Sequence, residues 1–256
     1  MISAATMVAT WNRVVLTFDV DWCPDFVIDA VAARLRAAKV SSTWFVTHQS
    51  DGVARLRAQP DLFELGIHPN FLPGSTHGET PEQVLTHISA IVPGARSLRS
   101  HGLVQSGLLL ELILRRTDVS VISNEFLPFL RGVVPVLYER GGRRVLKVPV
   151  VWADDYEMGR PQPSWNIDRV VGFEGLKVLL FHPLNVYVNA ATAGVYEQLR
   201  GTGKSIRELT PEDLAPRIFD GAGAATLLDE LLSSDAVRSH ALRLCDVQDI
   251  HVASEQ

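Results

Sequence analysis

The chain has 256 residues, 46% of them hydrophobic and 21% charged, with a formal net charge of −5. That is the composition of an ordinary globular protein with enough length for one large α/β domain. The acidic balance argues against nucleic acid or an anionic membrane as the main partner.

RVVLTFDVD (13–21) is rich in β-branched residues and predicts a first strand. DFVIDAVAARLRAAKV (25–40) follows with Phe26, Ala30, Ala33 and Ala37 at helical spacing. STWFVTH (42–48) predicts the next strand, then a helix around 51–58, then the strand LFELGIH (62–68). Residues 80–92 open on TPEQ, with Thr80 as N-cap, Pro81 at the first helical position and Gln83 completing a capping box. SLRSHG (97–102), VSVISNE (119–125) and KVPVVWADD (147–155) continue the strands, and 133–146, with RGGR inside it, predicts an inserted hairpin. GLKVLLFHP (175–183) is apolar throughout, as in a strand covered on both faces, and ALRLCDV (241–247) reads as the last strand. About eight strands mostly separated by helices predict a parallel sheet with right-handed crossovers. The expected fold is α/β, an irregular (β/α) barrel of seven or eight strands in a single domain over 1–256.

In such a barrel chemistry gathers at the C-terminal ends of the strands. Those ends carry, in order, Asp19 and Asp21, His48, His68, Arg99 and His101, Asp154 and Asp155, and His182, with His77 in the loop after His68. Five of the eight histidines therefore fall on one rim, which scattered surface histidines would not do. Strand alternation points Asp19 and Asp21 the same way, and two adjacent carboxylates repel unless a cation or proton intervenes. A divalent metal at this rim is the chemistry that such a pattern suggests.

Other features carry less. RGTGKS (200–205) imitates a phosphate loop, but the Gly required five residues before Gly203 is Gln198, and the segment follows a helix-like stretch. Trp44 alternates with its strand and is expected in the core. Trp22, Trp152 and Trp165 lie near the rim, where they would stack on a sugar or pack the wall. Cys23 and Cys245 lack metal-type spacing and are expected as two reduced, partly buried thiols. The opening MISAATMVATWNRVVLTFD has no basic region or long apolar stretch, and no window resembles a membrane span, so a cytoplasmic location is expected.

These segments resemble the polysaccharide deacetylases, the NodB-homology carbohydrate esterases, over roughly 13–185. LTFDVD looks like the first family motif, ELGIHPNF the second, SLRSHG the third, VWADD the fourth and LLFHP the fifth. The resemblance implies Asp19 as catalytic base, Asp21 and His68 as metal ligands, and Arg99 at the site wall, oriented by Asp154 or Asp155. It implies His182 as general acid. Two departures stand out: Val20 separates aspartates that the family has adjacent, and Leu72 stands where a second histidine is expected four residues after His68. His77 is the nearest replacement as third ligand, with His48 and His101 as rivals. His101, Trp22, Trp152 and His48 are otherwise expected to bind substrate.

The implied activity is metal-dependent hydrolysis of the N-acyl group, most simply acetyl, of an amino sugar in surface-polysaccharide biosynthesis. Zn²⁺ or another divalent ion fits a carboxylate and two imidazoles with an open position for water. A small non-sugar amide as substrate, or a degenerate barrel that binds glycan without turnover, are the alternatives.

Overall fold

The computed structural model describes residues 8–254. The start of the opening segment read above for a leader lies outside them. Among the described residues ten strands form one sheet: β1 (Val14–Asp19), β2 (Ser42–Val46), β3 (Phe63–Ile67), β4 (Ser97–Leu98), β5 (Val121–Ile122), β6 (Val136–Arg140), β7 (Arg143–Lys147), β8 (Val150–Ala153), β9 (Lys177–Phe181) and β10 (Ala241–Leu242). Their order is β6-β7-β5-β4-β3-β2-β1-β9-β8, with β10 beside the start of β1. Every pairing is parallel except β6 with β7.

The sheet curls into the expected irregular barrel. Its ends approach where the chain after β5 runs beside β8: Phe126 bridges Val150, and the Leu127 and Phe129 amides donate to the Val150 and Val151 carbonyls at 2.8 Å each. β1 and β9 are buried at every position, which explains why both are mostly apolar, with Thr17, Asp19 and Lys177 as buried exceptions. Phe18, Trp44 and Phe181 stack through this core, Phe18 lying 4.6 Å from the Trp44 ring. Trp44 is core, as its position in the strand implied.

Helix α1 (Asp25–Ala38) buries Val27, Ile28, Val31, Ala32 and Leu35, a stripe offset from the Phe26–Ala37 series. The larger β-branched and Leu side chains claim the inward face, since they remove more apolar area from water than Ala. Helix α2 (Asp51–Arg57) and helix α3 (Pro81–Ile91) follow, and α3 starts on the expected box: Thr80 Oγ1 accepts from the Gln83 amide and Gln83 Oε1 accepts from the Thr80 amide. Gly141 and Gly142, at φ 59° and 75°, make the tight turn that joins β6 to β7, so the inserted hairpin is present as the sheet edge.

Two strand assignments are corrected. Residues 241–247 contribute only Ala241–Leu242 to the sheet, because a helix begins at Leu244, where the Asp246 carboxylate accepts from the Arg243 amide at 2.8 Å. Residues 147–155 are three elements rather than one strand: Lys147 ends β7, β8 spans Val150–Ala153, and a short helix starts at Asp154. Both cysteines are free and buried. No helix among the described residues is long and apolar enough to cross a membrane.

Candidate active site

The strand order places the ends of β1, β3, β4, β8 and β9 around one pocket. Its cavity of about 560 Å³ is lined by Asp19, Asp21, His68, His101, Asp155 and His182 among others. β1 stops at Asp19, and the backbone then turns: Asp21 and Trp22 are both left-handed, at φ 43° and 57°. Such angles are costly outside glycine and persist where surrounding bonds fix them. Here the Trp22 amide donates to Thr47 Oγ1 at 3.0 Å and the Val20 amide to the Phe45 carbonyl at 3.0 Å. The two aspartates thus share a face through this turn rather than through strand alternation. Val20, which separates them, is buried in the core.

Asp21 Oδ1 lies 3.1 Å from His68 Nε2 and 3.0 Å from His101 Nδ1. His68 Nδ1 donates to the Arg99 carbonyl at 2.7 Å, which leaves Nε2 as the ring nitrogen that faces Asp21. His101 is carried inward by a bond from its amide to the Pro69 carbonyl, 3.0 Å, and by left-handed turns at Gly102 and Leu103. The three ligand atoms lie within 4.8 Å of one another. A tetrahedral ion holding them at roughly 2.0–2.1 Å separates them by about 3.3 Å, so this donor set fits a divalent cation with little movement. Electrostatics agree. Burial raises the Asp21 pKa, yet His101 and His68 outweigh it and hold the carboxyl far below the usual range. The Asp21 hydrogen bond holds the His101 imidazole above its ordinary value. The site favours positive charge.

Arg99 is fully buried. Its Nη1 donates to Asp19 Oδ1 at 2.9 Å and to Thr17 Oγ1 at 2.8 Å, while Nε and Nη2 reach the Ser123 carbonyl and hydroxyl at 3.0 and 2.9 Å. Its guanidinium also lies over the Phe45 ring, 4.5 Å from the centroid. One Asp19 oxygen is therefore fixed, and the other stands 3.8 Å from His68 Nε2. Neither Asp154 nor Asp155 orients Arg99. Thr17 and Ser123 do so, and Thr17 could have been found from its position two residues before Asp19 on the same strand face.

Asp154 serves His182. Its Oδ2 accepts from the His182 amide at 2.7 Å and its Oδ1 lies 2.6 Å from His182 Nδ1. The opposite ring nitrogen faces the pocket, 3.5 Å from Asp21 Oδ2. Burial lowers the His182 pKa, but the Asp154 carboxylate outweighs it and holds the imidazole well above its ordinary value. Asp154 Oδ1 also accepts from the Asp155 amide at 2.7 Å, so both Asp154 oxygens are engaged in a hydrogen-bond network around His182. Asp155 itself lines the pocket, its carboxyl pushed up chiefly by burial. Tyr196 also lines it and donates to Asn185 Oδ1 at 2.9 Å.

His77 is not among the gathered ligands. Its Nε2 lies 2.8 Å from the Thr47 carbonyl and its Nδ1 accepts from the Asn70 amide at 3.1 Å, which occupies both ring nitrogens. Burial lowers its pKa to about 4, so the ring is neutral. His101 takes the place expected of it. His48 is buried outside this pocket with Nδ1 3.0 Å from Thr47 Oγ1. Trp22 packs against the His101 ring at the pocket's edge, with centroids 5.3 Å apart. Trp152 does not reach substrate: it is 1% exposed and wedged between Phe181 and Trp165. The RGTGKS segment forms no phosphate loop, since it leaves a helix and commits Lys204 to Asp213 at 2.6 Å.

A family model described as WbmS-like polysaccharide deacetylase matches residues 16–200. A Bordetella bronchiseptica protein described as a polysaccharide deacetylase involved in O-antigen biosynthesis is 33% identical, with a TM-score of 0.74 over 87% of this chain and 90% of that one. A family 4 acetyl xylan esterase from Clostridium thermocellum, in complex with a cobalt ion, is 15% identical with a TM-score of 0.44, covering 93% of this chain and 90% of its own. The peptidoglycan deacetylase PdaC from Bacillus subtilis is 14% identical with a TM-score of 0.44, over 95% and 94% of the two chains. No match was found among curated proteins.

Proposed function

Because the chain belongs to the WbmS-like polysaccharide deacetylase family, we propose that it removes the N-acetyl group of an amino sugar destined for a surface polysaccharide, with a divalent ion held by Asp21, His68 and His101. The family is one of hydrolases acting on carbon–nitrogen bonds other than peptide bonds. The surface-polysaccharide assignment draws on the Bordetella bronchiseptica relative, described as involved in O-antigen biosynthesis.

One observation carries the reading. A carboxylate with one oxygen fixed by a buried arginine and an imidazole fixed by a buried aspartate flank the same three-ligand cluster. When bound, the ion polarises the acyl carbonyl and makes water more acidic. The unfixed Asp19 oxygen takes the proton of the attacking water, and Arg99 holds the carboxylate in place through its other oxygen. His182 Nε2 gives a proton to the sugar nitrogen as the carbon–nitrogen bond breaks, and Asp154 steadies the resulting charge balance and the ring's orientation. Acetate and the free amine leave.

Acetate release from a panel of N-acetylated amino sugars tests this. Wild-type protein should release acetate from at least one of them, and Asp19→Asn should do so ~10²–10⁴-fold more slowly, the range for loss of a general base. Release from none of them by metal-loaded protein would leave glycan binding without turnover.

A further inference from the structure

Beside the catalytic pocket lies a second cleft of about 540 Å³, lined by Trp22, His48, His77, His87, Ser205 and Arg207 among others. Ile206 lines both cavities, and Trp22 lines the second while touching His101 of the first. We propose that this cleft holds the phosphate or diphosphate of an amino-sugar phosphoester whose N-acyl group lies between Asp19 and His182.

The two cavities differ in charge. The catalytic one is lined by Asp19, Asp21 and Asp155. Among the described residues no acidic side chain lines the second, and Arg207 is its only formally charged lining group. Arg207 is exposed, and among the described residues its guanidinium bonds only to the Gln49 carbonyl, at 3.4 Å. That leaves most of its donors for an anion, where a planar guanidinium binds phosphate oxygens two at a time. Lys204 next to it is already paired with Asp213, so Arg207 is the cation that serves the cleft. His48 Nδ1 is engaged by Thr47 Oγ1, which directs its remaining donor capacity to Nε2.

One wall is aromatic. Trp22 lies 5.5 Å from His77, which stacks on His87 at 5.3 Å with 19° between the planes. Flat rings beside a cation suit a phosphoester whose other side carries a base or an apolar chain. The inference rests on the amino-sugar reading for the neutral half of the ligand and on the second cleft alone for the anion.

Calorimetric titration of the full chain with inorganic pyrophosphate tests it. Wild-type protein should bind pyrophosphate. Arg207→Gln should weaken binding about ten- to a hundredfold, as expected for a lost charge-assisted contact, and Arg207→Lys should recover part of it. Asp21→Asn, which disables the rim as an ion site, should bind pyrophosphate as wild type does. Displacement by uridine diphosphate points to a nucleotide carrier and displacement by farnesyl diphosphate to a lipid carrier, and either supports the cleft. Absent binding, equal binding by Arg207→Gln, or loss in Asp21→Asn alone overturns it. If pyrophosphate binds through Arg207 while no sugar is deacetylated, the anion site in the second cleft stands and the deacetylase reading falls.

Discussion

Asp154 grips His182 twice, once at the backbone amide at 2.7 Å and once at the ring Nδ1 at 2.6 Å. The carboxylate is fully buried and starts the short helix after β8, so the imidazole's orientation is set by the fold before substrate arrives.

Asp154→Asn removes the negative charge and keeps the shape. A proton donor is active below its pKa, and Asp154 is what holds the His182 pKa up against burial. The alkaline limb of kcat against pH should therefore move to lower pH, and kcat at neutral pH should fall ~10²–10⁴-fold with KM little changed. An unmoved alkaline limb would show that His182 is not the titrating acid.

Arg99 and Asp19 form a buried ion pair at 2.9 Å. Arg99→Met should cost about 3–5 kcal/mol of unfolding free energy, because it strands a buried carboxylate. The double variant Arg99→Met/Asp19→Asn should lose less than the sum of the two single losses, as contacting partners do. Chemical denaturation of the four proteins measures this, and strict additivity would contradict the pairing.

His77 has a folded pKa of about 4 against an ordinary 6.5. As pH falls through that window the unfolded chain takes up the proton first, so the folded state loses stability from about 6.5 down to about 4. His77→Gln should be less stable than wild type at neutral pH, through lost contacts with Thr47, Trp22 and His87. Its stability should then fall less steeply as the solution is acidified. Thermal melts across this pH range decide it, and parallel slopes for the two proteins would rule out a buried neutral His77.

Much of this site was legible from the ends of the strands. Asp19, Asp21, His68, Arg99, His101 and His182 were expected on one rim, and the parallel register of β1, β2, β3 and β9 puts their ends together. What strand periodicity hides is where a chain turns once its strand stops. His101 reaches Asp21 only through the Pro69 bond and two left-handed residues, while His77 spends its nitrogens on Asn70 and Thr47. The His101–Asp21 and His77–Thr47 contacts join residues far apart in sequence. Asp154 was expected to orient Arg99 through the family resemblance of VWADD and within a strand over 147–155, and at the start of a helix it meets His182 instead. The final strand failed for a similar reason, since an apolar run of that length does not separate strand from helix without its cap.

The assignment of His101 rather than His77 to the ion is the most specific claim made by the site's geometry, and metal content per chain tests it directly. After loading with zinc and desalting, wild type and His77→Gln should each retain about one ion per chain, and His101→Ala and His68→Ala almost none, since structural analogues of such sites need all their protein ligands. Full retention by His101→Ala together with loss in His77→Gln would contradict the account.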